Sequence, residues 1–199
     1  MSRYSIGILA GVRETSQRGF RPAHRLLDLA NALRADGSLS REAMADLLMR
    51  HGETAQDVAG SAFTEDDAEA LRAAVARLTE RVLAEPDVDR AARALNALLA
   101  ECGARPRLSR HDGHAWHLHV DRGDDAGWAD WFTAASALGL AQLLSERGGN
   151  AAAWGECAAA DCTRLFLDDG PGTPRRYCSP RCASRARVAA HRARRRGSG

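Results

Sequence analysis

Four of the five cysteines fall in one C-terminal stretch, spaced Cys157-x4-Cys162-x15-Cys178-x3-Cys182. Two close pairs joined by a longer loop suit a tetrahedral ion, because each pair clips one side and the loop brings the pairs together. Thiolates are soft ligands, and four of them close the coordination sphere to substrate. The expectation is one structural Zn²⁺ held by Cys157, Cys162, Cys178 and Cys182. Cys102, near the end of a helical pattern, reads as an ordinary small residue rather than a redox sensor.

The same stretch turns strongly basic. Residues 170–199 hold nine arginines and no acid; with a net charge of +2 overall, the rest of the chain carries −7. Lysine is absent, so arginine at any one position says nothing about bidentate recognition. Ser179 is placed as an N-cap and Pro180 at the first helical position, which puts Cys182 in the first turn of a last helix. On a helical wheel Ala183, Ala186, Ala190 and Ala193 share one side, expected to pack on the finger or the body. Arg181, Ser184, Arg185, His191, Arg192, Arg195 and Arg196 share the other; Arg187 and Arg194 border the alanines, and Val188 lies in the basic face.

Arg175, Arg176, Arg181, Arg185, Arg187, His191, Arg192, Arg194, Arg195 and Arg196 are therefore candidates for contacts to duplex DNA, where arginines displace counterions from phosphates. This helix has no aromatic residue, which disfavours stacking on a single strand. The alternatives are an adaptor that docks an acidic protein surface, or a binder of structured RNA.

These side chains need a frame. "TRLFLDDGPGTPRRY" after Cys162 reads as two short strands around a Gly/Pro turn, with Leu165, Phe166, Leu167 and Tyr177 as a miniature core. A hairpin followed by a helix that donates the last ligand is a treble-clef arrangement, with a zinc ribbon as the alternative.

Upstream, a hydrophobic content of 45% supports a core, and abundant alanine with 5% aromatics favours close-packed helices. Helical patterns cover "HRLLDLANALRADG", "SREAMADLLMRHG" after a Ser40 cap, "FTEDDAEALRAAVARLTERVLAEP" after a Thr64 cap, and "VDRAARALNALLAECG" after an Asp87 cap. "RPRLSRHDGHAWHLHVD" reads as a hairpin turning at Asp112-Gly113, with Trp116, Leu118 and Val120 on one face. The helix after it carries no charge from Trp131 to Leu144 and is expected at the buried centre. A short strand is expected at Ser5–Ala10, and Gly148-Gly149 is a natural hinge.

The fold class is thus mainly α: an alanine-rich helical domain over residues 1–149 with one β-hairpin, then a finger over residues 150–199 ending in a basic helix. No apolar run approaches a membrane span of about 20 residues, and the N-terminus lacks a secretory pattern. A cytoplasmic, nucleoid-associated protein is expected, in a reducing compartment where clustered cysteines bind metal.

Weaker constellations remain. His117 and His119 share a strand face, near His111 and His114, and with Asp28 could chelate a second ion. Asp28 and Asn31 lie three apart in an apolar helix, so they line a ligand pocket or make a helix–helix hydrogen bond. There is no phosphate loop, nucleophile–base pair or paired-carboxylate motif, so an enzyme is not expected.

"CAAADCTRLFLDDGPGTPRRYCSPRCASRARVAAHRARRR" resembles the CGNR zinc-finger family of bacterial proteins. Phe166-Leu167-Asp168 and Arg175-Arg176-Tyr177-Cys178-Ser179 match its motifs. The name-giving tetrad stands as Cys182-Ala183-Ser184-Arg185, with Gly and Asn replaced. "LLDLANAL", "ALNALLAECGARPRL" and "WHLHV" are similar to the α-rich ABATE domain often fused to that finger and linked to stress-induced transcription. The resemblance implies a DNA-binding regulator with an N-terminal domain that senses a small-molecule effector or forms a homodimer.

Overall fold

The computed structural model describes residues 21–109, 116–123, 126–148, 153–170 and 172–197. The strand expected at Ser5–Ala10 and the turn at Asp112-Gly113 lie outside them. Among the described residues are six α-helices and two small antiparallel hairpins: α1 (Arg21–Asp36), α2 (Arg41–Arg50), α3 (Glu65–Leu78), α4 (Val88–Glu101), β1 (Arg105–Ser109), β2 (His117–Asp121), α5 (Trp128–Glu146), β3 (Trp154–Glu156), β4 (Leu165–Leu167) and α6 (Pro180–Gly197).

The helix ends follow local chemistry. The Ser40 side chain accepts from the Ala43 N–H and the Asp87 side chain from the Arg90 N–H. Thr64 and Asp67 form a reciprocal capping box at α3. Gly37, Gly52 and Gly103 close α1, α2 and α4 with φ of +71°, +106° and +64°, values that L side chains rarely adopt. Helix α3 runs on through a π-type turn (Thr79–Leu83) before Pro86.

Helix α5 is the central element, packed against α1, α3, α4 and β2. Phe132, Ala134, Ala137 and Leu140 are fully buried, as its charge-free stretch implies. The β1–β2 register pairs Arg105 with Asp121 and Leu108 with Leu118. Val120 is half-buried, while Leu108, Trp116 and Leu118 face outward.

Two expectations about the C-terminal region are corrected. The finger hairpin does not follow the first cysteine pair; it straddles it. Strand β3 precedes Cys157, β4 follows Cys162, and Trp154 pairs with Leu167. No strand forms at residues 174–177, where the Arg176 carbonyl accepts from the Ala158 N–H at 2.8 Å and the Arg175 N–H turns to the Asp168 carboxylate at 3.3 Å. The physical reason is burial. Trp154, Leu165 and Leu167 join the main core rather than a separate miniature one, and the Trp154 indole N–H donates to the Val82 carbonyl at 3.1 Å.

Gly148 ends α5 at φ +76°. Gly149, the other half of the expected hinge, lies outside the described residues; the hairpin beyond it contributes Trp154, Leu165 and Leu167 to the body's core. No described helix is long and apolar enough to cross a membrane.

Candidate metal centre and cationic helix

The hairpin sets the position of the first cysteine pair. The Cys157 N–H donates to the Arg164 carbonyl at 2.9 Å, and the Cys162 N–H to Ala159 at 3.0 Å, so the chain folds into a tight knuckle. The second pair comes from the start of α6. Ser179 Oγ accepts from the Cys182 N–H at 3.2 Å, and the Ala183 N–H reaches the Ser179 carbonyl at 3.1 Å. Ser179 is therefore the N-cap, and Pro180 follows where its missing N–H has no cost.

The four Sγ atoms lie within 4.8 Å of one another. Cys162–Cys178 and Cys178–Cys182 are 3.7 and 3.6 Å apart. A tetrahedron with Zn–S bonds of about 2.3 Å has S–S edges of about 3.8 Å. The donor set therefore fits Zn²⁺ in both softness and size. Among the described residues this is the one group of three or more His, Cys, Asp or Glu close enough to hold an ion.

The electrostatics favour thiolate at two of the four. The Ser179 hydroxyl, then the Cys178 thiol and the Arg185 guanidinium, hold Cys182 down to about 6. Burial pushes Cys157 up, but the Cys178 and Ala159 N–H groups outweigh it and leave the thiol below its ordinary value. Burial and the neighbouring thiols push Cys178 up to about 12. By contrast, burial raises the Cys102 thiol above its ordinary value.

Arg175 is stitched into the finger. Its guanidinium donates to the Leu167 carbonyl at 3.2 Å and the Cys178 carbonyl at 3.0 Å, and lies 5.5 Å from the Phe166 ring centre. Its N–H reaches Asp168, a buried carboxylate also bonded by Arg147. Arg185 bonds Cys182 Sγ at 3.4 Å. Arg176 lies 6.0 Å from the Tyr177 ring centre, and Arg187 donates to Ser184 Oγ at 3.2 Å.

The alanine stripe of α6 does not pack as expected. Ala183 and Ala186 are half-buried, but every residue from Arg187 to Arg196 is exposed, including Ala190 and Ala193. The outer half of α6 projects clear of the body for about 15 Å. Arg181, His191, Arg192, Arg194, Arg195 and Arg196 all lie on this exposed helix.

Asn31 has a structural role that links the two parts. Buried on α1, it donates through Nδ2 to the Leu165 carbonyl at 3.1 Å and accepts from the Leu165 N–H at 2.8 Å. Asp28 instead pairs with His51 at 3.0 Å. His119 stands opposite Arg107, and His117 opposite Ser109, in the β1–β2 register. Two further contacts from α1 had no sequence signal: Arg34 to Glu156 at 3.0 Å and His24 to Asp169 at 2.8 Å. A single charged residue on a helix does not name a partner more than 100 positions away.

Fold and site together define a helical protein with a four-cysteine finger and a protruding cationic helix. The chain belongs to the ABATE family: its model, described as "Putative stress-induced transcription regulator", matches residues 23–165. The CGNR zinc-finger model matches residues 154–195. The two matches overlap over residues 154–165, from β3 through the first cysteine pair to the first residue of β4; Trp154 and Leu165 at its two ends both lie in the body's core. No curated protein matches the chain.

Proposed function

We propose that this chain is a zinc-stabilised, DNA-binding transcriptional regulator and not an enzyme. The observation that carries the reading is the outer half of α6, exposed from Arg187 to Arg196 and anchored at its root by the cysteine cluster. A helix about 10 Å wide can enter the major groove of a duplex. Its like charges at i, i+4, such as Arg192 and Arg196, repel one another in water, and phosphates relieve that repulsion. Arg176, Arg181, Arg187, His191, Arg192, Arg194, Arg195 and Arg196 contact phosphates and base edges; Arg175 shapes the finger.

The helical body senses an effector or joins two copies. A change in it reaches the finger through α1, whose Asn31 is bonded to β4. The test is recovery and sequencing of DNA bound to the zinc-loaded full chain, with Cys178→Ser as control. Enrichment of a common sequence lost in the control supports the reading. Tighter binding to structured RNA or to an acidic protein than to any duplex turns it toward the alternatives.

A further inference from the structure

Arg185 lies three residues after Cys182, one turn along the same face of α6. Its Nη2 donates to Cys182 Sγ at 3.4 Å, an ordinary length for a bond to sulfur. No other guanidinium is found bonded to one of the four sulfurs among the described residues. Arg181 precedes Cys182 on the helix, and Arg187 turns to Ser184 instead.

Charge explains what such a bond is worth. Zn²⁺ with four thiolates carries −2, and Cys157 and Cys182 are both buried at 6% exposure. Backbone donors offset part of this: the Cys178 N–H points at Cys157 Sγ at 3.4 Å. Around Cys182 the Cys178 thiol lies 3.6 Å from the sulfur and Ser179 Oγ accepts from the Cys182 N–H. Among these neighbours only Arg185 brings a full positive charge together with its hydrogen bond to the sulfur.

We propose that Arg185 is a positioning and charge-compensating residue of the metal centre. It holds the Cys182 thiolate in place, lowers the electron density on its sulfur, and slows loss of the ion. It is set apart by this role from the arginines of the outer helix, whose task is the polyanion. The proposal rests on the reading that the four cysteines hold zinc.

The experiment uses the full chain loaded with one zinc, and compares wild type with Arg185→Gln, Arg185→Lys and Arg192→Gln. Metal stoichiometry of the wild type comes first: absence of zinc there defeats the reading beneath the proposal, not the proposal alone. Competition with a chromophoric chelator is then expected to show zinc affinity lowered about 10- to 100-fold in Arg185→Gln, the range for loss of a partner of a metal ligand. Arg185→Lys, which keeps the charge, falls between, and Arg192→Gln matches wild type.

Cobalt substitution adds a readout that mere unfolding does not mimic. Without the N–H···S bond the sulfur lone pair rises in energy, so the thiolate-to-cobalt charge-transfer band of Arg185→Gln moves to longer wavelength. Should Arg185→Gln hold no metal at all, the Arg185→Lys band and affinity carry the same comparison. Zinc affinity and cobalt spectra indistinguishable from wild type in both Arg185 variants would overturn the proposal.

Discussion

Asn31 and Leu165, 134 positions apart, are joined by two hydrogen bonds: the side-chain amide of one donates to and accepts from the backbone of the other. Both are buried, so neither peptide group has water to fall back on. This pair fixes the first strand after the knuckle onto α1, and makes the finger's root part of the body.

Asn31→Ala leaves a buried N–H and C=O without partners. Each unsatisfied group costs about 1–3 kcal/mol, so a loss of roughly 2–6 kcal/mol is expected. Urea denaturation measures it, and amide exchange at Leu165 should accelerate. Asp28→Ala, three residues away, breaks only the half-exposed pair with His51 and should cost less than about 1 kcal/mol.

Arg25 and Glu53 form a buried ion pair at 2.8 Å, with the guanidinium 4.1 Å from the Trp131 ring centre. Burial pulls Arg25 down to about 10 and pushes the Glu53 carboxyl up. In both groups desolvation outweighs the mutual attraction. Arg25→Met strands Glu53 and is expected to cost about 3 kcal/mol at pH 7, with Arg25→Met/Glu53→Leu recovering much of it. A raised Glu53 binds its proton more tightly in the folded chain, so the penalty is full above that raised value. It fades as pH falls toward the ordinary glutamate value of about 4.3. Thermal melts of Arg25→Met from pH 7 to pH 4.5 should therefore converge on wild type.

Metal removal should divide the C-terminal region at an unusual point. Zinc chelation or Cys178→Ser is expected to unravel the knuckle and α6, which have little apolar burial of their own beyond Cys157, Ala159 and Cys182. The β3–β4 hairpin should persist, because Trp154, Leu165 and Leu167 lie in the main core. Far-UV circular dichroism would lose about the signal of one helix, while amide exchange at Leu165–Leu167 stays slow.

Much of this was legible in the sequence, and the exceptions have physical causes. The caps at Ser40, Thr64 and Asp87 are local signals, and the structure uses each of them. The cysteine spacing and Ser179-Pro180 were local as well. What the sequence hid was long-range pairing. Leu165-Phe166-Leu167 reads as a strand, but which surface takes its apolar side depends on α1 and on Trp154, far apart in the chain. The alanine stripe of α6 had the period of a packed face; small residues bury too little area to require a partner, and Ala190 and Ala193 stay exposed. Arg175 looked like its arginine neighbours until its bonds to the Leu167 and Cys178 carbonyls were seen.

Arg175 and the outer arginines should accordingly fail in different ways. Arg175→Ala is expected to weaken the finger by about 1–2 kcal/mol, through lost charge-assisted hydrogen bonds, with faster exchange at the Cys178 amide. Arg192→Ala and Arg195→Ala should leave the finger intact, and each should reduce the steepness of salt-dependent DNA binding by about 0.9.

The most direct test of the central claim is the salt dependence of duplex DNA binding by the zinc-loaded full chain, read by fluorescence anisotropy. With four to six phosphate contacts, log K against log [salt] should fall with a slope of about −4 to −5, and a chain ending at Ala186 should retain zinc but lose binding. No measurable affinity for duplex DNA at low salt, with one zinc bound per chain, would contradict the account.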